Sequence, residues 1–233
     1  MKNIFFVLLA ALFSCNISAA AKEIYKTSSI TIDTANNLEV QKQKILNSIS
    51  DNKFRSFVAQ FQMHSLPFNM ESFLKLKNVK MNIIKKEDIL AYLITVNENK
   101  IDTDKDVIKS VYILYADSNF ISLLYIQTMK DPYMPIAQMT KCVLADFNYS
   151  GKLISALPVC VSSETGKDYS TVSLSSNLHM VVREYNGEPR INNGATLTEY
   201  FYRPVICNYK ITPAGEIKFI NISVVKGGAG KGD

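Results

Sequence analysis

The stretch A-D-F-N-Y-S-G-K-L-I-S-A-L-P-V, Ala145–Val159, decides how the chain is read. Apolar and polar residues alternate on either side of Asn148-Tyr-Ser-Gly151, and the strand period of two is what alternation implies. The turn has a polar first residue, two central residues and then a glycine. This is the layout of a type I turn closed by a residue at positive φ, which forms a bulge in the following strand. The pattern returns near the C-terminus: F147-N-Y-S-G-K-L153 aligns with I211-T-P-A-G-E-I217. Pro213 suits the second turn position because its φ is preset. A weaker third copy is Y115-A-D-S-N-F-I121, with Asn119 in the glycine's place.

Strand and turn signals continue outward from these hairpins. Strands are expected at about 107–116, 119–129, 142–149, 152–161, 169–175, 178–186, 197–211 and 216–225, an antiparallel meander. The N-terminal third differs. Lys22–Asp33 reads as a first strand, 36–50 as a helix, and Phe54, Phe57, Val58 and Phe61 follow helical spacing behind a Ser50 or Asp51 cap. Leu74–Ile84 alternates, with Val79, Met81 and Ile83 on one side; Glu87–Val96 fits a helix or a strand equally. The expected fold is therefore α+β, mainly antiparallel β: a curved meander of hairpins with two N-terminal helices packed on it.

The hairpin faces can also be read. Val143, Ala145, Phe147, Leu153, Leu157 and Val159 share one side of the middle hairpin, while Cys142, Asp146, Asn148 and Cys160 share a second side expected to be wet. Around 107–129 both faces are apolar: Val111, Ile113, Ile121 and Leu123 on one, Leu114, Leu124 and Ile126 on the other. That hairpin should be central.

The chain has 233 residues, 47% of them hydrophobic and 20% charged, which is enough for one sizeable core. Met1–Ala20 has the three parts of an export signal: Lys2, the apolar run Ile4–Phe13 and the small residues Ser18-Ala19-Ala20. The run is too short to span a bilayer. A competing reading takes Leu12-Phe13-Ser14-Cys15 as a lipoprotein site with Cys15 lipidated, so the mature protein is expected to be periplasmic or secreted, or else lipid-anchored. Residues 21–225 read as a single β-rich domain with a sub-boundary candidate at 97–106, and 226–233 as a flexible tail. Loss of the leader removes Lys2 and no acid, lowering the net charge from +5 to +4. That is too mild a balance, in an exported chain, to argue for nucleic acid.

No motif assembles a catalytic set. His64 and His179 are far apart and lack ligand-spaced neighbours, so no metal or cofactor is expected. Ser50-Asp-Asn-Lys53 and Ser72-Phe-Leu-Lys75 match S-x-x-K without a K-T-G partner. Asp102-Thr-Asp104-Lys-Asp106 begins like a calcium loop, but Val107 and Ile113 stand where glycine and glutamate are needed. Gly227–Gly232 lacks phosphate-loop spacing. Lys75, Lys77, Lys80, Lys85 and Lys86 form a basic stretch that fits either a solvated face or an anionic partner. An oxidising compartment favours one disulfide among Cys142, Cys160 and Cys207. The hairpin favours Cys142–Cys160, ahead of Cys160–Cys207 or no bridge, with Cys207 buried and reduced.

Three functional readings follow. The first is a non-enzymatic binding or interaction module of a bacterial envelope, its partner an unknown protein or envelope component. The second is an envelope hydrolase with an unidentified Ser or carboxylate site, and the third a structural lipoprotein. A pocket with convergent polar groups would favour the hydrolase, and an exposed apolar or charged patch the binder.

Overall fold

The computed structural model describes residues 36–70, 79–93, 101–130, 137–163, 168–190 and 199–224. The leader, Cys15, the strand expected at 22–33, Ser72, Lys75, Lys77 and the glycine-rich tail lie outside these residues. By its contacts the chain divides into residues 1–43 and 44–233. The described part of the first unit is helical and belongs to a helix over 36–48 (α1), with the Gln41 amide donating to Asn37 Oδ1 at 3.1 Å.

The second unit is an α+β fold. Its helices are the end of α1, then α2 (Asn52–Val58) and α3 (Lys86–Asp88), the last running directly into a π-helical turn, Ile89–Leu93. Asp51 caps α2: its Oδ1 accepts from the Phe54 N–H at 2.7 Å, satisfying a donor the helix cannot. The strands are β1 (Gln62–Met63), β2 (Phe68–Met70), β3 (Val107–Ala116), β4 (Ile121–Lys130), β5 (Gln138–Phe147), β6 (Leu153–Ser163), β7 (Asp168–Leu174), β8 (His179–Arg190), β9 (Glu199–Ile211) and β10 (Ile217–Val224). All eight strands expected after residue 107 are present. The two short strands β1 and β2 are additions that no periodicity announced.

The hydrogen-bonded order is β1-β3-β4-β5-β6-β7-β8-β9-β10. Among the described residues the backbone ladder between β6 and β7 has one pair, Ser162–Tyr169, and β2 pairs with β7 through Phe68–Leu174, Asn69–Ser173 and Met70–Val172. The strip thus behaves as two leaves, β3–β6 and β2-β7–β10. A core cluster takes side chains from both: Val111, Leu124, Leu144 and Val159 from the first leaf, Val172, Leu174, Met180, Val182, Cys207 and Ile211 from the second. A further cluster covers the opposite face of β3–β5. There Leu46 of α1, Ile49 just after it, and Phe54, Phe57 and Val58 of α2 pack on Ile108, Ile113, Leu123, Tyr125, Val143 and Phe147.

This layering corrects the expectation of a wet face on the middle hairpin. Cys142, Leu144 and Cys160 face the second leaf and are buried, and Asp146 on that face has no exposure at all. The hairpin β3–β4 is buried on both sides as expected. Val111, however, sides with Leu114 and Leu124, because irregularities between Ser110 and Tyr112 and between Ile113 and Tyr115 change the phase. The alternation at 79–84 does not make a strand. Those residues run beside β3 through a single bridge, Ile83–Lys109, and Ile84 is buried while Ile83 is 68% exposed.

The paired turns take the expected form. Gly151 and Gly215 have φ of 82° and 80°. Asn148 N–H donates to Lys152 O at 3.0 Å, and Thr212 N–H to Glu216 O at 2.9 Å. Asn119 does not share this conformation; Asp117 Oδ1 instead holds that turn by accepting from the N–H groups of Asn119 and Phe120. Among the described residues the non-glycine residue at positive φ is Leu178, at 62°. The three related turns meet at one end of the leaves: Asn119 Nδ2 donates to Pro213 O at 3.1 Å, and the Tyr149 hydroxyl to Asp117 O.

Candidate functional site

An open cleft of about 910 Å³ lies between α2 and the α3–π turn segment, lined by Asn52, Lys53, Ser56, Gln60, Lys85, Glu87, Asp88, Ala91 and Tyr92. Helical spacing explains its α2 wall. Phe54, Phe57 and Val58 point to the core, so Asn52, Lys53 and Ser56 are left on the outer face. The π turn supplies the other wall: Ile89 and Leu93 are buried while Ala91 and Tyr92 turn to the cleft. Wide turns of this kind often occur at functional sites.

Tyr92 has a fixed base. Its ring stacks on Phe57 with centroids 4.9 Å apart and leans on Phe54 at 5.3 Å. Burial, reinforced by the charges of Asp51 and Asp88, raises its pKa, so the phenol stays a hydrogen-bond donor at neutral pH. The Gln60 amide donates to Asp88 Oδ2 at 2.9 Å, and Lys85 pairs with Glu87 at 3.7 Å. Lys53 has no ion pair among the described residues. The cleft therefore offers an uncommitted ammonium beside an aromatic wall.

The sequence-derived candidates fall elsewhere or are occupied. Of the basic stretch, Lys85 pairs with Glu87 and Lys86 with Asp104 at 2.6 Å, while Lys80 lies beside Gln62, which donates to its carbonyl. Asp102 holds Lys105 at 2.7 Å and accepts from Asp104 N–H; Asp106 Oδ2 accepts from Asp102 N–H and from the Gln127 amide. These carboxylates close a turn, and no group of three or more metal-ligating side chains occurs among the described residues. His64 lies in an aromatic corner against Tyr112 and Phe68, whereas His179 opens β8. Ser50 is exposed and does not line the cleft, although Lys53 does.

The expected Cys142–Cys160 disulfide is not formed; Cys142, Cys160 and Cys207 are all free and buried. The two residues are nevertheless directly opposite one another, even though Phe147 faces Leu153 at the turn. Two irregularities in β6, at Ile154 and at Val159 beside Pro158, shift the register enough to do both. The sulfurs have separate surroundings: Cys142 Sγ lies 4.0 Å from Met70 Sδ, and Cys160 Sγ donates to Ser170 O at 2.7 Å. Burial pushes the Cys142 thiol well up and Cys160 to about 12, so neither readily becomes the thiolate that oxidation requires. Alkylating the denatured, unreduced protein should accordingly label Cys142, Cys160 and Cys207 alike. Recovery of a Cys142–Cys160 linked peptide would contradict this.

A buried polar group was missed altogether in the sequence. Ser122, Asp146 and Ser155 form a row across β4, β5 and β6. The Ser122 hydroxyl donates to Asp146 Oδ1, while Asp146 Oδ2 has no hydrogen-bond partner. Ser155 Oγ accepts the Ile217 N–H at 3.1 Å and lies 2.7 Å from Gly215 O, tying the first leaf to the β9–β10 turn. Burial raises the Asp146 pKa to about 7, opposed by the hydrogen bond from Ser122, while the Ser155 hydroxyl donates to Gly215 O. The only signal was an acid within the apolar end of a strand, Val143–Phe147. The site is closed to solvent and serves the joint between leaves.

Compared with known protein families, curated proteins and solved structures, the chain matches none.

Proposed function

We propose that this is an exported, non-enzymatic binding protein of a bacterial envelope, and that the cleft between α2 and the π turn holds a small anionic ligand. The observation that carries the reading is the Lys53 ammonium, without an ion pair among the described residues, lining an open cleft with the firmly stacked Tyr92 ring. Such a wall accepts the apolar body of a ligand, while Lys53, Asn52 and the Tyr92 hydroxyl supply donors for a carboxylate or phosphate. Lys85 and Glu87 can open their exposed pair at little cost, since such pairs contribute weakly.

The test is mass spectrometry of small molecules released from protein recovered from its own envelope extract. An anionic compound should co-purify with wild type. Its recovery should fall about tenfold or more in Lys53→Glu, the loss of one charge-assisted contact. Equal recovery from both proteins would sink the assignment to this cleft. Turnover of the recovered compound by wild type would favour the hydrolase reading instead.

A further inference from the structure

We propose that β10 is a self-association edge, pairing antiparallel with the β10 of a second copy of this chain about a twofold axis between Ile220 and Asn221. Among the described residues β10 ends the hydrogen-bonded path, bonded on one side to β9. The other end of the path is only two residues long and lies beside residues 79–84; β10 has eight residues. Natural edge strands are blunted by shortness, proline, lysine, inward charge or a bulge. β10 has eight residues and no proline; it carries one lysine and one bulge, at Ile220. Its single charged residue, Lys218, is turned to Glu216 at 2.9 Å. Phe219, Ile220, Ile222 and Val224 are large apolar side chains with 54%, 49%, 59% and 59% of their surface exposed.

The arrangement of these residues indicates a second copy as the occupant. Ile217, Phe219, Ile222 and Val224 lie opposite Ile211, Tyr209, Cys207 and Val205, so they share one face. The irregularity at Ile220 divides them into two symmetrical halves, Ile217-Phe219 and Ile222-Val224. An isologous pair needs this kind of self-complementarity: what one residue meets on its partner, the partner's residue meets in return. In the register that keeps the faces together, Phe219 opposes the partner's Ile222 and Lys218 opposes the partner's Ser223. The side chain of Val224 then lies by the partner's Ile217. No like charges meet. Ile217 N–H is already taken by Ser155, so ladder pairing runs from Lys218 to Ser223. Closing four half-exposed apolar side chains on each copy removes on the order of 800 Å² from water, and the paired backbones add to it. That is the size of a weak, transient dimer, populated only at high concentration.

Light scattering over a dilution series of the full chain tests this. Wild type should move from one to two chain masses with rising concentration. Phe219→Lys and Ile222→Glu, both at exposed positions, should each remain at one chain mass. The double variant Phe219→Lys/Ile222→Glu places opposite charges across the axis and should recover the two-chain mass, at low salt more than at high salt. A wild type that stays at one chain mass at every concentration overturns the proposal. So does a single variant that associates like wild type, or a double variant that fails to recover.

Discussion

Raising the pH from about 4 to about 7 should lower the stability of the protein by about 3 kcal/mol relative to its Asp146→Asn variant. The Asp146 carboxyl is fully buried, accepts one hydrogen bond from Ser122 and leaves its second oxygen without a partner. Taking a charge into such surroundings is expensive, so the folded protein keeps the proton up to about pH 7, whereas a free aspartate releases it near 3.8. Between those values the folded state binds more protons than the unfolded state, and stability falls as pH rises. Below the window both states are protonated and the full stability is present; above it the loss is complete and the curve levels. Asparagine keeps the shape and an oxygen for Ser122 but cannot ionise. The variant should match wild type near pH 4 and exceed it above pH 7. Urea midpoints measured at several pH values check this. Parallel curves for the two proteins would show that Asp146 does not titrate in the core.

Alanine at Gly151 or Gly215 should cost roughly 2–4 kcal/mol each, combining the left-handed backbone penalty with overpacking. Both glycines have φ near +80°. A Cβ on Gly151 would stand 2.9 Å from Phe54 Cγ, and one on Gly215 would stand 2.9 Å from both Phe120 Cγ and Ile154 Cδ1. The rings belong to tightly packed clusters: Phe54 and Phe120 have no exposed surface, and Phe54 also leans on Phe147 and Tyr92. They cannot yield without disturbing several neighbours. Denaturant unfolding of each variant measures the effect. Changes within about 0.5 kcal/mol, the range of ordinary surface substitutions, would mean the turns adjust freely.

The local architecture could be read from residues 107–225 because each part of it is a short-range matter. Alternation sets strands, a glycine after three turn residues sets a bulged turn, and Pro158 marks where a ladder must break. The helices at 36–48 and 52–58 follow from spacing and from Asp51 as a cap. In the same way the α+β class and the burial of the β3–β4 hairpin on both faces needed no coordinates, since both faces are apolar; its place near one end of the strand order, beside β1, was not legible.

What alternation cannot say is what lies against a face. The middle hairpin looked wet because Asp146 and two cysteines share a side, yet the second leaf covers that side and makes Asp146 a buried acid. The register of Cys142 against Cys160 depends on two irregularities in β6, and whether the sulfurs join depends on Met70 and Ser170, which arrive from β2 and β7. The cleft likewise joins residues from two segments, 52–60 and 85–92, whose approach is set by a shared core beneath Phe57 and Tyr92. Pattern along the chain determined the elements. Burial, titration and the meeting of side chains were decided by packing between elements distant in sequence, because the free energy of each depends on every atom that excludes water from it, and sequence spacing holds no record of those atoms.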